Sequence, residues 1–220
     1  MPRYRIAVLA AVLLFVVTMP LYLHMKRGPH KKTALLLKGL STLIPTVLCI
    51  VGAASDAAPP GSWWMAVGLM LCLIGDVVLE LHFITGMGAF LLGHLCYIGS
   101  FLSQKGPSLW IVGYFIPLMM LVTLLFVPLV PKLEKPRLPY IVYVVVIVAM
   151  LSAALPLPFA LGIRGVLQAA GAALFVLSDL LLGRNLLTFT NRLRDAVSLS
   201  CYYAGQYLLA VSVWCFACPG

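Results

Sequence analysis

SWWMAVGLMLCLIGDVVLEL, residues Ser62 to Leu81, is an unbroken apolar run except for one acidic side chain, Asp76, before its final Glu80-Leu81. Twenty residues of helix rise about 30 Å, the thickness of a bilayer's hydrocarbon core. A second run, residues 162–183, repeats the anomaly with Asp179 inside Val176-Leu177-Ser178-Asp179-Leu180-Leu181-Leu182. A charged side chain at the centre of a spanning helix costs about 2.5–3.5 kcal/mol on insertion scales. Two such residues imply a polar site inside a membrane protein.

Working outward, eight runs reach spanning length: 6–23, 34–54, 62–81, 86–103, 108–130, 138–157, 162–183 and 195–217. Gly and Pro punctuate the breaks, at Gly28-Pro29, Ala58-Pro59-Pro60-Gly61, Lys105-Gly106-Pro107 and Pro131 to Arg137. The composition agrees. The chain has 220 residues, 63% hydrophobic and 10% charged, with mean hydropathy +1.08. A soluble domain would carry about 25% charged residues. No connection is long enough to fold alone, so residues 1–220 form a single integral membrane domain: all-α, eight transmembrane helices in one bundle. The N-terminal run follows Arg3 and Arg5 but is longer than a signal-peptide core and lacks an Ala-x-Ala exit, which marks a retained first span.

The formal net charge of +9 belongs to topology rather than to nucleic acid, because the basic residues sit in short loops without a stripe of interleaved aromatics. Ten of the 15 Lys and Arg (Lys26, Arg27, Lys31, Lys32, Lys132, Lys135, Arg137, Arg184, Arg192, Arg194) fall in connections 1–2, 3–4, 5–6 and 7–8 or their edges. Four (Arg3, Arg5, Lys105, Arg164) fall on the opposite side. The positive-inside rule places the richer side in the cytoplasm and both termini outside. The six cysteines lie mostly in apolar runs, where a thiol acts as a small hydrophobe. Cys215 and Cys218 form a Cys-x-x-Cys without a second ligand pair, and no metal is expected there.

Spans three and seven end alike, in Gly75-Asp76 and Ser178-Asp179, and four crossings separate them. That echo suggests two parallel four-helix repeats, an arrangement known in transporters. Both aspartates then lie toward one membrane face, from which spans two, four and eight begin. Those spans contribute Lys38, His94 with Tyr97, and Tyr202, Tyr203 with Gln206. Asn185 and Arg184 follow Asp179 at the mouth. The other half of the bundle reads as almost purely apolar, which favours a one-sided cavity. Two carboxyl groups sharing a low-dielectric pocket titrate apart, leaving one able to give a proton and the other to accept one. A Gly-x-Ser-x-Gly nucleophile elbow is absent, and His94 is the sole histidine inside a span, too few ligands for zinc. The residues alone leave open a proton-coupled carrier or a lipid-binding scaffold beside an enzyme.

At these positions the chain resembles the lysoplasmalogenase family, the YhhN-type eight-span proteins. The likeness runs through Lys38, Gly75-Asp76, Phe83 or Phe90 with Gly86, His94-x-x-Tyr97, Ser178-Asp179-Leu180, Asn185, and Tyr202-Tyr203-x-x-Gln206. Arg184, Leu187 and Glu80 depart from the pattern. The resemblance implies hydrolysis of the vinyl ether of a lysoplasmalogen, a lysophospholipid drawn from the bilayer, in plasmalogen breakdown. The products are a fatty aldehyde and glycerophospho-ethanolamine or -choline. It implies Asp76 and Asp179 as general acid and base, in an order that sequence leaves open. Lys38 would keep one carboxylate ionised; His94, Tyr97, Tyr202, Tyr203 and Gln206 would orient water or glycerol oxygens. Arg184 and Asn185 would meet the headgroup phosphate, and neither cofactor nor metal is called for. The expected setting is the endoplasmic reticulum in a eukaryote or the inner membrane in a bacterium, with the site toward the cytoplasmic leaflet.

Overall fold

The structure is a computed structural model, and it describes residues 2–26, 28, 31–132, 137–188 and 192–217. Arg27, Pro29, Lys135, Asn191 and Cys218 lie outside those residues. Eight helices are long and apolar enough to cross a membrane, and no strand occurs among the described residues.

The first span runs from α1 (Pro2–Val12) through a π-helical stretch, Leu13–Thr18, into α2 (Met19–Met25). The next three are α3 (Lys31–Ala53), α4 (Ser62–Leu79) and α5 (Phe83–Lys105). Span five, α6 (Leu109–Phe126), ends in a 3-10 turn, Val127–Lys132. Span six is α7 (Leu138–Ala154), extended by the short α8 (Leu157–Leu161), and spans seven and eight are α9 (Ile163–Leu187) and α10 (Arg192–Trp214). Glycines mark three of the breaks. Gly61, Gly106 and Gly162 have φ of 77°, 78° and 56°, a left-handed backbone that glycine adopts without penalty.

Packing follows a closed order: α3 on α4, α4 on α5, α5 on α7, α7 on α9, α9 on α10, and α10 back on α3. The first span lies outside this ring against α3, and α6 lies outside it against α7. Replacing each of spans one to four by its counterpart among five to eight returns the same ring, the relation expected of parallel repeats. The helix seams match as well. A Cβ on Gly68 of α4 would lie 3.0 Å from the Gly93 carbonyl of α5, and one on Gly171 of α9 would lie 3.0 Å from the Gly205 carbonyl of α10. Small residues let these backbones approach, the usual device for packing helices without a hydrophobic driving force. Asp76 stands eight residues after Gly68, and Asp179 eight after Gly171.

The bundle's outer surface is lipid-like: Val8, Leu9, Leu36, Trp110, Leu124 and Phe159 are all exposed. Such a surface suits hydrocarbon and no aqueous setting. The expectation of an apolar far half is corrected by the structure. At the membrane face opposite the aspartates, Arg164 Nη2 and Gln168 Nε2 both donate to Gln104 Oε1, at 3.0 and 3.1 Å. Gln104 Nε2 in turn donates to the Ser100 carbonyl at 3.0 Å. These groups sit at the end of α5 and the start of α9 and bond one another there, while Arg164 Nε and Gln168 Oε1 remain without a hydrogen-bond partner among the described residues.

Candidate active site

A cavity of about 590 Å³ opens within the ring on the side where α2, α4 and α9 end and α3 and α10 begin. Asp76 and Asp179 both line it. The volume is that of a small-molecule pocket, and the wall is largely apolar, with a few converging polar groups.

Asp76 is 2% exposed. Lys38 Nζ lies 3.6 Å from its Oδ1, and Lys38 also meets Glu80 Oε1 at 3.0 Å. The Thr42 hydroxyl, one turn beyond Lys38 on α3, donates to Asp76 Oδ2, and the Tyr202 hydroxyl donates to the same oxygen at 2.7 Å. Gln206, four residues after Tyr202, donates to the Tyr202 hydroxyl at 2.7 Å and so fixes its orientation. Gly75 makes room beside Asp76, because a Cβ there would lie 2.9 Å from the Phe90 ring, which stands edge-on to Tyr202.

Asp179 is held differently. The Tyr143 hydroxyl of α7 donates to its Oδ2 at 2.9 Å, and His94 Nε2 of α5 approaches the same oxygen at 3.2 Å. His94 is fully buried, Nε2 also lies 3.1 Å from the Tyr143 hydroxyl, and Nδ1 has no hydrogen-bond partner. A protonated imidazole would leave a buried N–H without an acceptor, so the neutral ring with its proton on Nε2 is the form that fits. Phe175 packs edge-on against both His94, at 4.8 Å, and Tyr202, at 5.2 Å, joining the two clusters through one ring.

The two clusters obey the repeat relation. Asp76 is clamped from α3 and α10, and Asp179 from the equivalent helices, α7 and α5. One difference breaks the equivalence: α3 brings a lysine where α7 brings a tyrosine. Among the described residues a lysine therefore faces Asp76 and none faces Asp179.

Lys38, His94, Tyr202 and Gln206 thus gather around the carboxylates. Tyr97 is buried a turn away, its ring 2.5 Å from where a Gly68 Cβ would stand and its hydroxyl 3.4 Å from Cys72 Sγ. Tyr203 is buried behind Tyr202, outside the cavity wall. Arg184 is exposed and Asn185 half-buried, and neither lines the cavity. The reason is helical phase. α9 runs to Leu187 rather than ending near residue 183, and at about 100° per residue Arg184 and Asn185 point roughly 140° and 120° away from Asp179. Gly183 and Leu187 of α9, at successive turns, line the wall instead.

Sequence reasoning missed Thr42, Tyr143, Tyr22, Lys26 and Asp195, all but the first on the cavity wall. Thr42 had a signal, lying four residues after Lys38 on the same helical face. Tyr143 had none beyond its place in span six, because a tyrosine near a span end reads as interfacial. No group of three His, Cys, Asp or Glu placed to hold a metal occurs among the described residues.

No curated protein and no solved structure matches the chain. The sequence profile of the YhhN family matches residues 33–213, from the second span to the end of the last. The match takes in both aspartates and every residue that touches them, and the chain belongs to the YhhN family, the family of lysoplasmalogenases.

Proposed function

We propose that this protein hydrolyses the vinyl ether of lysoplasmalogens, with Asp179 as general acid and Asp76 as general base. The observation that carries the assignment is two buried carboxylates on one cavity, one facing a lysine and one held only by neutral donors. Lys38, Thr42 and Tyr202 all direct a charge or a donor at Asp76, whereas Asp179 receives donors on Oδ2 alone, which leaves its Oδ1 to carry the proton in the proposed cycle. Family membership supports the substrate class.

The chemistry closes on itself. Asp179 gives its proton to the distal alkene carbon, the π electrons make the new C–H bond, and an oxocarbenium ion forms at the carbon bearing oxygen. Water adds to that carbon as Asp76 takes its proton. In the hemiacetal, Asp179 removes the hydroxyl proton while Asp76 protonates the departing glycerol oxygen. The aldehyde and the glycerophospho headgroup leave, and both carboxyls return to their starting states. Positioned proton transfer of this kind contributes about 10²–10⁴-fold in rate.

The alkenyl chain lies along the apolar wall between α6 and α9, against Met119, Val122, Phe126, Leu182 and Leu186. α6 packs mainly on α7, so this seam is the sideways route from the bilayer. The cavity opens toward the basic side of the chain, which supports a site at the cytoplasmic leaflet.

The test is aldehyde release by purified protein from lysoplasmenylethanolamine, beside the 1-O-alkyl analogue, which has no alkene to protonate. Aldehyde from the first and none from the second is expected. If well-folded protein releases none from either the ethanolamine or the choline plasmalogen, the proposal fails.

A further inference from the structure

Lys38 faces two carboxylates, and the closer one is not the proposed base. Its Nζ lies 3.6 Å from Asp76 Oδ1 but donates to Glu80 Oε1 at 3.0 Å. Asp76 and Glu80 stand four residues apart at the end of α4, so one helical face presents both to α3. Their settings differ. Asp76 is buried and the Glu80 side chain is half-exposed, with Lys38, only 7% exposed, between them. All three line the cavity. Water would satisfy a half-exposed carboxylate; here it turns onto a cation that already has a partner.

The proposed reaction creates the need for that second partner. When Asp76 takes the proton from water it becomes neutral, and Lys38 loses that charge while the hemiacetal and then the aldehyde stand beside it. A buried lysine without a counter-ion favours its neutral form. A neutral amine adds its lone pair to an aldehyde carbon, the carbonyl oxygen takes a proton, and loss of water leaves an imine. An ammonium has no lone pair to give. We propose that Glu80 is a positioning residue that holds Lys38 as an ammonium while Asp76 is protonated, and so keeps the site's own lysine from condensing with the aldehyde product. The aldehyde rests on the hydrolase reading above; the capacity of Glu80 to hold Lys38 without Asp76 rests on the geometry alone.

The test supplies the aldehyde directly. Detergent-purified protein is given hexadecanal with cyanoborohydride, which reduces any imine to a stable secondary amine, and the alkylated lysines are mapped by peptide mass spectrometry. Labelling of Lys38 is read against that of exposed Lys105, whose ammonium rests on the Pro156 carbonyl. Asp76→Asn reproduces the neutral carboxyl of the protonated base. Lys38 is expected to stay nearly unlabelled in wild type and in Asp76→Asn, where Glu80 alone holds it. In Asp76→Asn with Glu80→Gln its labelling should rise at least about tenfold, the equivalent of one charge-assisted contact. Labelling in Asp76→Asn as heavy as in the double variant overturns the proposal, as does an unlabelled Lys38 in the double variant. Glu80→Gln alone keeps Asp76 and guards against a folding defect. In it, turnover of lysoplasmenylethanolamine, which protonates Asp76, should label Lys38 more than supplied hexadecanal does; aldehyde release with Lys38 left clean overturns the proposal as well. Failure of the hydrolase reading looks different: no aldehyde forms from the plasmalogen, while the pattern with supplied hexadecanal stands.

Discussion

Lys38→Met and Asp76→Asn remove the two halves of one buried ion pair, yet the structure predicts unequal losses. Asp76 is 2% exposed, and Lys38 is its only lysine or arginine partner among the described residues, at 3.6 Å. At an effective dielectric near 20, that separation corresponds to roughly 4–5 kcal/mol of attraction. Removing one member of a buried pair typically costs about 3–5 kcal/mol, because the other charge is stranded. Lys38→Met strands Asp76 and should cost that much. Asp76→Asn strands nothing completely, since Lys38 keeps Glu80 at 3.0 Å and the amide oxygen still accepts from Thr42 and Tyr202. Its cost should be about 1 kcal/mol, the scale of a solvent-screened pair. A chain of this size shifts its melting temperature by about 2–4 °C per kcal/mol. Thermal unfolding of detergent-purified protein should therefore fall by roughly 10 °C for Lys38→Met and less than about 5 °C for Asp76→Asn. The double variant should return close to wild type, with both charges gone. Equal losses for the single variants, or a harmless Lys38→Met, would refute the assignment of Lys38 as the counter-ion of a carboxylate that depends on it.

Other outcomes follow from the same geometry. Tyr143→Phe removes a donor from Asp179 without creating a cavity; initial rates of aldehyde release should fall about 5–100-fold, the kinetic equivalent of roughly 1–3 kcal/mol, with little change in melting. Gly86→Ala would place a Cβ 2.4 Å from the Leu79 backbone, whereas Gly88→Ala meets open space; melting should drop by about 1–3 kcal/mol equivalents for the first alone. Leu186→Trp narrows the apolar seam beside Phe126, and competition assays should show weaker binding of long-chain substrates than of short-chain ones. A chelator should leave turnover unchanged, because among the described residues no third His, Cys, Asp or Glu joins His94 and Asp179 in a group placed to hold a metal.

The eight spans were legible because hydrocarbon permits so few solutions: a run of twenty apolar residues between Gly, Pro and Lys punctuation has one reading. The ends were less so. Nothing in Arg184-Asn185-Leu186-Leu187 opposes helix, so α9 carries on for another turn and rotates Arg184 and Asn185 off the cavity. The core of the site was legible in part. Asp76 and Asp179 declared themselves by what they cost in a membrane, and Lys38 and His94 by the same logic. Tyr143 did not, since phenol at a span end is ordinary; its role comes from the packing of α7 against both α5 and α9, which no local pattern reveals. Lys26 and Asp195 were invisible for a related reason. They are 169 residues apart and meet because the ring brings the first and last spans to one mouth. The repeat was audible in Gly75-Asp76 and Ser178-Asp179, but its force lies in the packing order, where each carboxylate is clamped from equivalent helices.

The most direct test of the aspartate pair is the fate of solvent hydrogen in the product. Wild type and the Asp76→Asn and Asp179→Asn variants are given lysoplasmenylethanolamine in D₂O, and the aldehyde is reduced as it forms. The account predicts one deuterium on the carbon next to the former aldehyde carbon from wild type, and aldehyde release reduced at least about 10²-fold in each variant while both remain folded. Near-normal release from both variants, or product without that deuterium, would contradict it.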